Sequence, residues 1–454
     1  MKRTAPRALL ALALLVPAAA GCGGDADAGG PDTVTVTVGY QSKTINTVTA
    51  GTLLRSLGYF EEELQRRGAR DGVTYEVRWQ DYATGAPITA QMTAGKIDIG
   101  SMGDFPLLLN AARGRQLDRP TRLVSVTGYN LRGGLNTIVT APGSRLDSLG
   151  DLKGKKVSTS VGSAADGTLV RALQQEGLDP LEDIRKLNQQ PAVGASALQS
   201  GSADALSQFV AWPGLLAYQG RAEALYDGAA LDLPTFHGVT AREDFAEKRP
   251  AVLEDFLRAQ IRATEYLREK PVAAAESVAE ATGLPAEVVY LYNGAHGIAT
   301  FDTTLKPELV AALKKDVPVL ASAGLVGDVD AETFVDSFVD DRYVRRTHGA
   351  GYDEALAAKA PSARGEVWRK DGTTTPYDDP TALLRAVAAG DGTVRAAYVP
   401  DTTTGTQWFA DKAVWVADGA RLLPFVAPSA AADWIAGHPG ARTVSYEQAL
   451  ERAS

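Results

Sequence analysis

One pattern occurs twice in this chain, and it constrains the fold more than any other feature. Ile88 to Asp104 reads ITAQMTAGKIDIGSMGD, and Gly194 to Val210 reads GASALQSGSADALSQFV. Aligned without a gap, both give a helical stretch, a glycine (Gly95, Gly201), two residues, an aspartate (Asp98, Asp204) and a short apolar run. A glycine just past a helix supplies the left-handed residue that ends it, and the run that follows reads as a buried strand. Such turns are common in α/β folds, so chance stays open. Read as a repeat of role, the echo predicts two lobes with the same unit, whose strand ends face a common cleft.

The rest of the chain keeps that rhythm. Residues 33–39 alternate Thr and Val, as a half-buried strand does. Helical patterns over about 47–58 and 58–67 precede a second alternating strand at 75–79, and a helix over 87–95 leads to a short strand at 97–100. The turn at 149–156 feeds a strand at 157–161, after which 162–167 opens a helix to Glu176. Strands alternating with helices predict an α/β fold with a largely parallel sheet. Residues 124–139 and 237–240 read as crossings between lobes. Helices over about 250–270, 271–282, 285–293, 306–323 and 331–340 complete the first lobe.

Export is written at the amino end. Met1-Lys2-Arg3 and Arg7 precede an apolar run over 8–20, then Gly21 and Cys22, the only cysteine of the chain. A basic start, a short apolar core and small residues before a cut make a signal-peptide pattern. The run is shorter than the roughly 20 residues a membrane-spanning helix needs. Because it ends in cysteine, the segment resembles a bacterial lipobox. That implies removal of 1–21, lipidation of Cys22, a tether over 22–32, and an extracytoplasmic protein held to the cell membrane by acyl chains. A single cysteine allows no intrachain disulfide, so stability must come from core burial. The net charge of −9 argues against nucleic acid as a partner, and a monomer is expected.

Open α/β sheets place ligands beyond the carboxyl ends of their strands, and this selects the candidate residues. Gln41 and Ser42 follow the first strand. Gly103 and Asp104 follow the strand after Asp98, where Asp104 would accept a hydrogen bond from an amine or cap the helix that starts at Phe105. Gly162 permits close approach of a ligand and Ser163 is a natural N-cap. Free N–H groups at that helix start would hold oxyanions, although capping alone is the plainer role. Gln208 and Trp212 follow the Asp204 strand, with Trp212 as a pocket wall or simple core. Tyr129 and Asn130 stand at one crossing and His237 at the other, each facing a ligand or only completing a strand end. Asp98 and Asp204 read as structural, closing the Gly-x-x-Asp turn.

In order, Gly39-Tyr40-Gln41-Ser42, Gly58-Tyr59-Phe60, Gly95-Lys96-Ile97-Asp98-Ile99-Gly100, the turn Asp151-Leu152-Lys153-Gly154-Lys155-Lys156-Val157 and Gly162-Ser163 resemble the nitrate/sulfonate/taurine class of ABC-transporter substrate-binding proteins. The resemblance spans roughly 33–345. It implies a type II periplasmic-binding fold with a first lobe from 33–128 and 238–345, a second from 129–237, a small anionic solute in the cleft, and permease subunits as partners. Some relatives of this fold make a thiamine pyrimidine with cysteine and histidine chemistry. Here the four histidines (His237, His296, His348, His438) show no metal spacing, and no Gly-x-Ser-x-Gly motif occurs. Neither an enzyme, a cofactor nor a metal site is expected.

The chain continues well past such a body. Residues 346–380, polar and carrying Pro361, Pro376 and Pro380, read as a linker with strand character at 366–369. A small α+β unit follows over 381–454. Its run from Ala397-Tyr398-Val399 through Asp411-Lys412-Ala413-Val414-Trp415-Val416 to Arg442-Thr443-Val444 resembles the NosL family, lipoproteins linked to copper supply. That implies a copper-handling accessory role as the alternative function. Soft Cu(I) wants thiolate or thioether ligands, yet no methionine follows Met102 and no cysteine follows Cys22. The unit is therefore expected to have lost its metal, and to dock a partner or cover the cleft.

Overall fold

The computed structural model describes residues 33–390 and 392–454. The signal peptide, Cys22 and the tether expected within 1–32 lie outside the described residues. No helix among those described is long and apolar enough to cross a membrane.

Two sheets built on one plan organise the body. In the first, the strands run in the order Thr300–Phe301, Thr121–Asn130, Thr235–Arg242, Ile99–Gly103, Thr33–Tyr40, Thr74–Asp81. In the second the order is Arg185–Asn188, Lys156–Thr159, Ala205–Phe209, Asn136–Thr140, Glu223–Asp227. Each sheet holds three neighbouring parallel strands, then an antiparallel strand arriving from the other lobe, then the strand that leaves for it. The βα rhythm predicts a largely parallel sheet, and the sheets are mixed instead. The reason is topological: Asn136–Thr140 and Thr235–Arg242 enter from the opposite lobe and so run against their new neighbours.

The sequence echo is a physical repeat. Gly95 and Gly201 both sit in the left-handed region, with φ of 75° and 70°. Past Gly95, the Asp98 N–H donates to the Thr37 carbonyl at 2.9 Å and the Asp98 carboxylate accepts from the Thr37 N–H at 2.8 Å. Past Gly201, Asp204 does the same to Lys156, at 2.8 Å in both directions. Each aspartate thus stitches the start of its strand to the parallel neighbour.

The segment expected as a linker is built into the fold. Helices Arg342–His348 and Tyr352–Ala357 pack on the first lobe. Gly365–Arg369 and Thr374–Tyr377 then form a hairpin within the C-terminal sheet, whose order is Thr374–Tyr377, Gly365–Arg369, Val394–Pro400, Gln407–Phe409. The prolines that read as linker have structural places. Pro376 lies on an edge strand, where a missing N–H costs nothing, and Pro380 is the first residue of helix Pro380–Ala388. A second sheet (Arg421–Phe425, Val414–Asp418, Arg442–Val444) and helices Pro428–Gly437 and Tyr446–Ala453 complete the unit.

One apolar cluster belongs to every part at once. Ile45, Val48 and Leu53 of the first lobe meet Val210, Ala211 and Ala217 of the second and Trp368, Tyr398, Trp408 and Phe409 of the C-terminal unit. Burial at about 25 cal/mol per Å² makes such a shared core the main force joining the parts.

Candidate functional site

A cleft of about 870 Å³ lies between the two sheets, beyond the carboxyl ends of their parallel strands. Five expected residues line it: Gln41, Gly103, Gly162, Ser163 and His237. Gln41 is buried, and its amide donates to the Ser101 carbonyl at 3.2 Å, so the side chain is fixed. His237 is 3% exposed and faces Gly103, with Nδ1 unpartnered. Burial pulls its pKa down to about 3, so it presents a neutral imidazole rather than a cation.

The loop before helix Ala164–Gln175 is tied down by its own side chains. Asn188 accepts from the Val161 N–H at 3.1 Å, Asp166 accepts from the Gly162 N–H at 3.0 Å, and the Ser163 N–H reaches the Ser160 carbonyl at 3.0 Å. Ser163 caps the helix, its hydroxyl accepting from the Asp166 N–H at 3.3 Å. The donors of the first turn that remain are the N–H groups of Ala164 and Ala165, one step further along than Gly162 and Ser163. Gly162, at φ 80°, brings this loop against Leu109 of the first lobe.

Six other expected residues do not line the cleft. Ser42 is spent on Asp81, its hydroxyl donating at 2.6 Å. Asp104 turns inward, where it accepts from the Phe105 N–H at 2.8 Å and the Phe236 N–H at 3.3 Å. It therefore ties the start of helix Asp104–Gln116 to the returning strand and is not open to an amine. Tyr129 is core of the first lobe. Asn130 holds the first crossing, accepting from the N–H groups of Arg132, Gly133 and Gly134 and donating to the Ile298 carbonyl. Gln208 is buried and donates to the Ser160 hydroxyl at 3.3 Å, so it props a lining residue. Trp212 packs against the second-lobe cluster of Val139, Leu198, Leu206 and Leu216.

The apolar walls were missed from sequence. Pro106, Leu109, Ala112 and Arg113 form one stripe of helix Asp104–Gln116 along the cleft. Their three- and four-residue spacing is the signal that marks a single helix face. Leu325, Val326 and Val329, from a loop far along the chain, line the cleft as well. The lining contains no Asp or Glu among the described residues, while Arg113 and Arg115 are its cationic members.

Behind the cleft, Arg171 bonds Asp316 at 2.8 Å, and its charge also acts on Asp104. Burial raises the pKa of Asp104 to about 6 and lifts that of Asp316 well above the usual carboxylate range. Arg171 comes from the second lobe and both carboxylates from elements of the first, so the cluster spans the interface.

Two α/β lobes on one plan, two crossings and a deep cleft at the strand ends define a solute receptor of the periplasmic-binding type. The NMT1/THI5-like family model matches residues 71–274. A protein of Escherichia coli (strain K12) described as aliphatic-sulfonates-binding is 30% identical over 242 residues, 53% of this chain and 72% of its own length. One of Bacillus subtilis (strain 168), described in the same words, is 24% identical over 354 residues, 77% of this chain and 99% of its own. The crystal structure of the periplasmic aliphatic sulphonate binding protein from Escherichia coli superposes with a TM-score of 0.54 at 26% identity, covering 67% of this chain and 91% of that one. The chain belongs to the sulfonate- and nitrate-type substrate-binding proteins of ABC importers, which bind a solute and do not transform it.

Proposed function

We propose that this protein captures an organosulfonate with an apolar body and delivers it to an ABC permease, tethered to the membrane through lipidated Cys22. The sulfonate oxygens lie at the start of helix Ala164–Gln175, against the N–H groups of Ala164 and Ala165 and the Ser163 hydroxyl, with Gln41 and His237 as neutral partners. The body runs along Pro106, Leu109 and Ala112. Solute bound across the cleft favours the closed form, which the permease recognises.

The observation that carries this reading is the make-up of the lining: an apolar stripe, donors at one end, and no carboxylate. An aminosulfonate such as taurine would bring an ammonium into a cleft with no anionic partner, and a desolvated charge without a partner is costly. Nitrate would leave most of the 870 Å³ unfilled. A copper role has little to stand on, since no group of three or more His, Cys, Asp or Glu side chains among the described residues could hold a metal.

The test is a thermal-shift panel with hexanesulfonate, taurine, nitrate and Cu(I), followed by calorimetric titration. A solute at a hundredfold its Kd adds about 2.7 kcal/mol. Stabilisation by hexanesulfonate above taurine and nitrate supports the reading. Stabilisation by taurine or nitrate alone replaces the solute, and a response to Cu(I) alone replaces the function.

A further inference from the structure

The C-terminal unit grips both lobes and the joint between them. Against the first lobe its hold is broad and buried. Trp368 and Tyr398 pack on Tyr290 of helix Ala286–Asn293, with ring centroids 4.9 and 5.6 Å apart. Arg395 pairs with Glu287 at 2.7 Å and Glu276 at 3.0 Å. The Tyr398 hydroxyl donates to the Glu287 carbonyl at 2.9 Å, and the Tyr290 hydroxyl to Glu366 at 3.1 Å.

Against the second lobe Trp408 and Phe409 share the apolar cluster with Val210, Ala211 and Ala217, and the side-chain hydrogen bonding is sparser than on the first lobe. The Thr404 hydroxyl donates to Asp227 at 2.7 Å, and Phe409 meets the exposed Tyr218 at 5.5 Å. Asp227 is the last residue of strand Glu223–Asp227, where the second crossing begins. On the first crossing, Arg132 donates to the Thr403 carbonyl at 3.1 Å. The loop that makes these contacts is stiff, because one carboxylate, Asp401, accepts from the N–H groups of Thr403, Thr404 and Val426. The receptor body has its own tie on that flank, from the Gly214 N–H to the Tyr292 hydroxyl at 3.0 Å.

We propose that the C-terminal domain is a brace across the hinge, which holds the second lobe closed on the first in the absence of solute through a latch of Thr404 on Asp227. Opening the cleft turns one lobe against the other about 130–136 and 227–235. A body fixed to both lobes must then shift on one. The second lobe, held by the Thr404–Asp227 side-chain bond where the first has the Arg395 pairs and two tyrosine bonds, yields first. The brace raises the closed fraction of the empty receptor, so less of the solute's binding energy goes into closure. This holds whichever solute the cleft takes.

The test is a distance measurement between spin labels at Gln65→Cys and Leu181→Cys, exposed positions on the first and second lobes, in the full chain with Cys22→Ser and no solute added. The chain with the latch intact should give one distance. Thr404→Val, close in size but without the hydroxyl, should add a longer population, and Thr404→Ser should restore the single distance. Tyr218→Ala, at the other latch contact, should lengthen the distribution as well. Melting curves establish that each variant is folded. Identical distributions in folded Thr404→Val, Tyr218→Ala and the intact latch would overturn the brace, as would a broad open distribution with the latch intact.

Discussion

Asp98 and Asp204 make the same bond in different lobes, each accepting at 2.8 Å from the first N–H it meets on the neighbouring parallel strand, that of Thr37 or Lys156. Their surroundings differ. Asp98 is largely buried and also pairs with Arg242 at 2.7 Å, whereas Asp204 is exposed. Asp98→Ala leaves Arg242 with Asp244 as its remaining partner and strands a backbone donor, and should cost about 2 kcal/mol. Asp204→Ala loses one solvated bond, at about 1 kcal/mol. Urea denaturation of both variants checks the asymmetry; equal losses would mean that the Arg242 pair adds nothing.

Ser163 separates capping from solute capture. Ser163→Ala removes the cap on the Asp166 N–H and should cost about 1 kcal/mol of stability. Ser163→Asp keeps a capping oxygen but sets a negative charge where the sulfonate is proposed to lie, so the fold should survive while hexanesulfonate binding is lost. Calorimetry on Ser163→Asp decides it: unchanged affinity would move the anion elsewhere in the cleft.

Gly167 governs how closely the lobes approach. It belongs to the second lobe, and a Cβ there would overlap the ring of Phe105 from the first. Overpacking at a tight contact costs about 1–3 kcal/mol, here charged to the closed form. Gly167→Ala should weaken solute binding by roughly five- to 150-fold and leave the circular dichroism of the lobes intact. A variant that binds as the parent does would show that closure leaves slack at this contact.

The buried carboxylates give the stability of the fold a pH dependence. Asp104 faces Arg171, Asp316 and the N–H groups of Phe105 and Phe236. With its pKa raised from 3.8 to about 6, its contribution to stability is fully present below pH 4 and lost as the pH rises through 6. Asp104→Asn removes that titration. The variant should therefore compare worse with the parent at pH 4.5 than at pH 7.5, as read from melting temperatures. The same difference at both pH values would mean that Asp104 titrates normally.

The sequence carried those parts of the site that depend on local chemistry. Ser163 after a strand is a cap wherever it folds, Gly95 and Gly201 end helices in any context, and Gln41 follows a strand that alternation alone reveals. It failed where orientation decides. Asp104 and Gly103 are adjacent, yet one faces the interior and the other the cleft, because the carboxylate finds the Phe236 N–H on a strand over a hundred residues away. The walls at Leu325 and Val329 come from a loop with no local signature.

What the sequence determined by itself is the alternation of strands and helices, the doubled helix–glycine–aspartate–strand unit and the Ser163 cap that starts a helix. These follow from interactions within a few residues of chain. What only the tertiary structure decided is the mixed sheet order, the apolar wall of the cleft and the seat of the C-terminal domain across the hinge. Each of those depends on side chains remote in sequence sharing one buried surface, as Trp368 does with Tyr290. Burial depends on where the whole chain goes, and no local pattern encodes that.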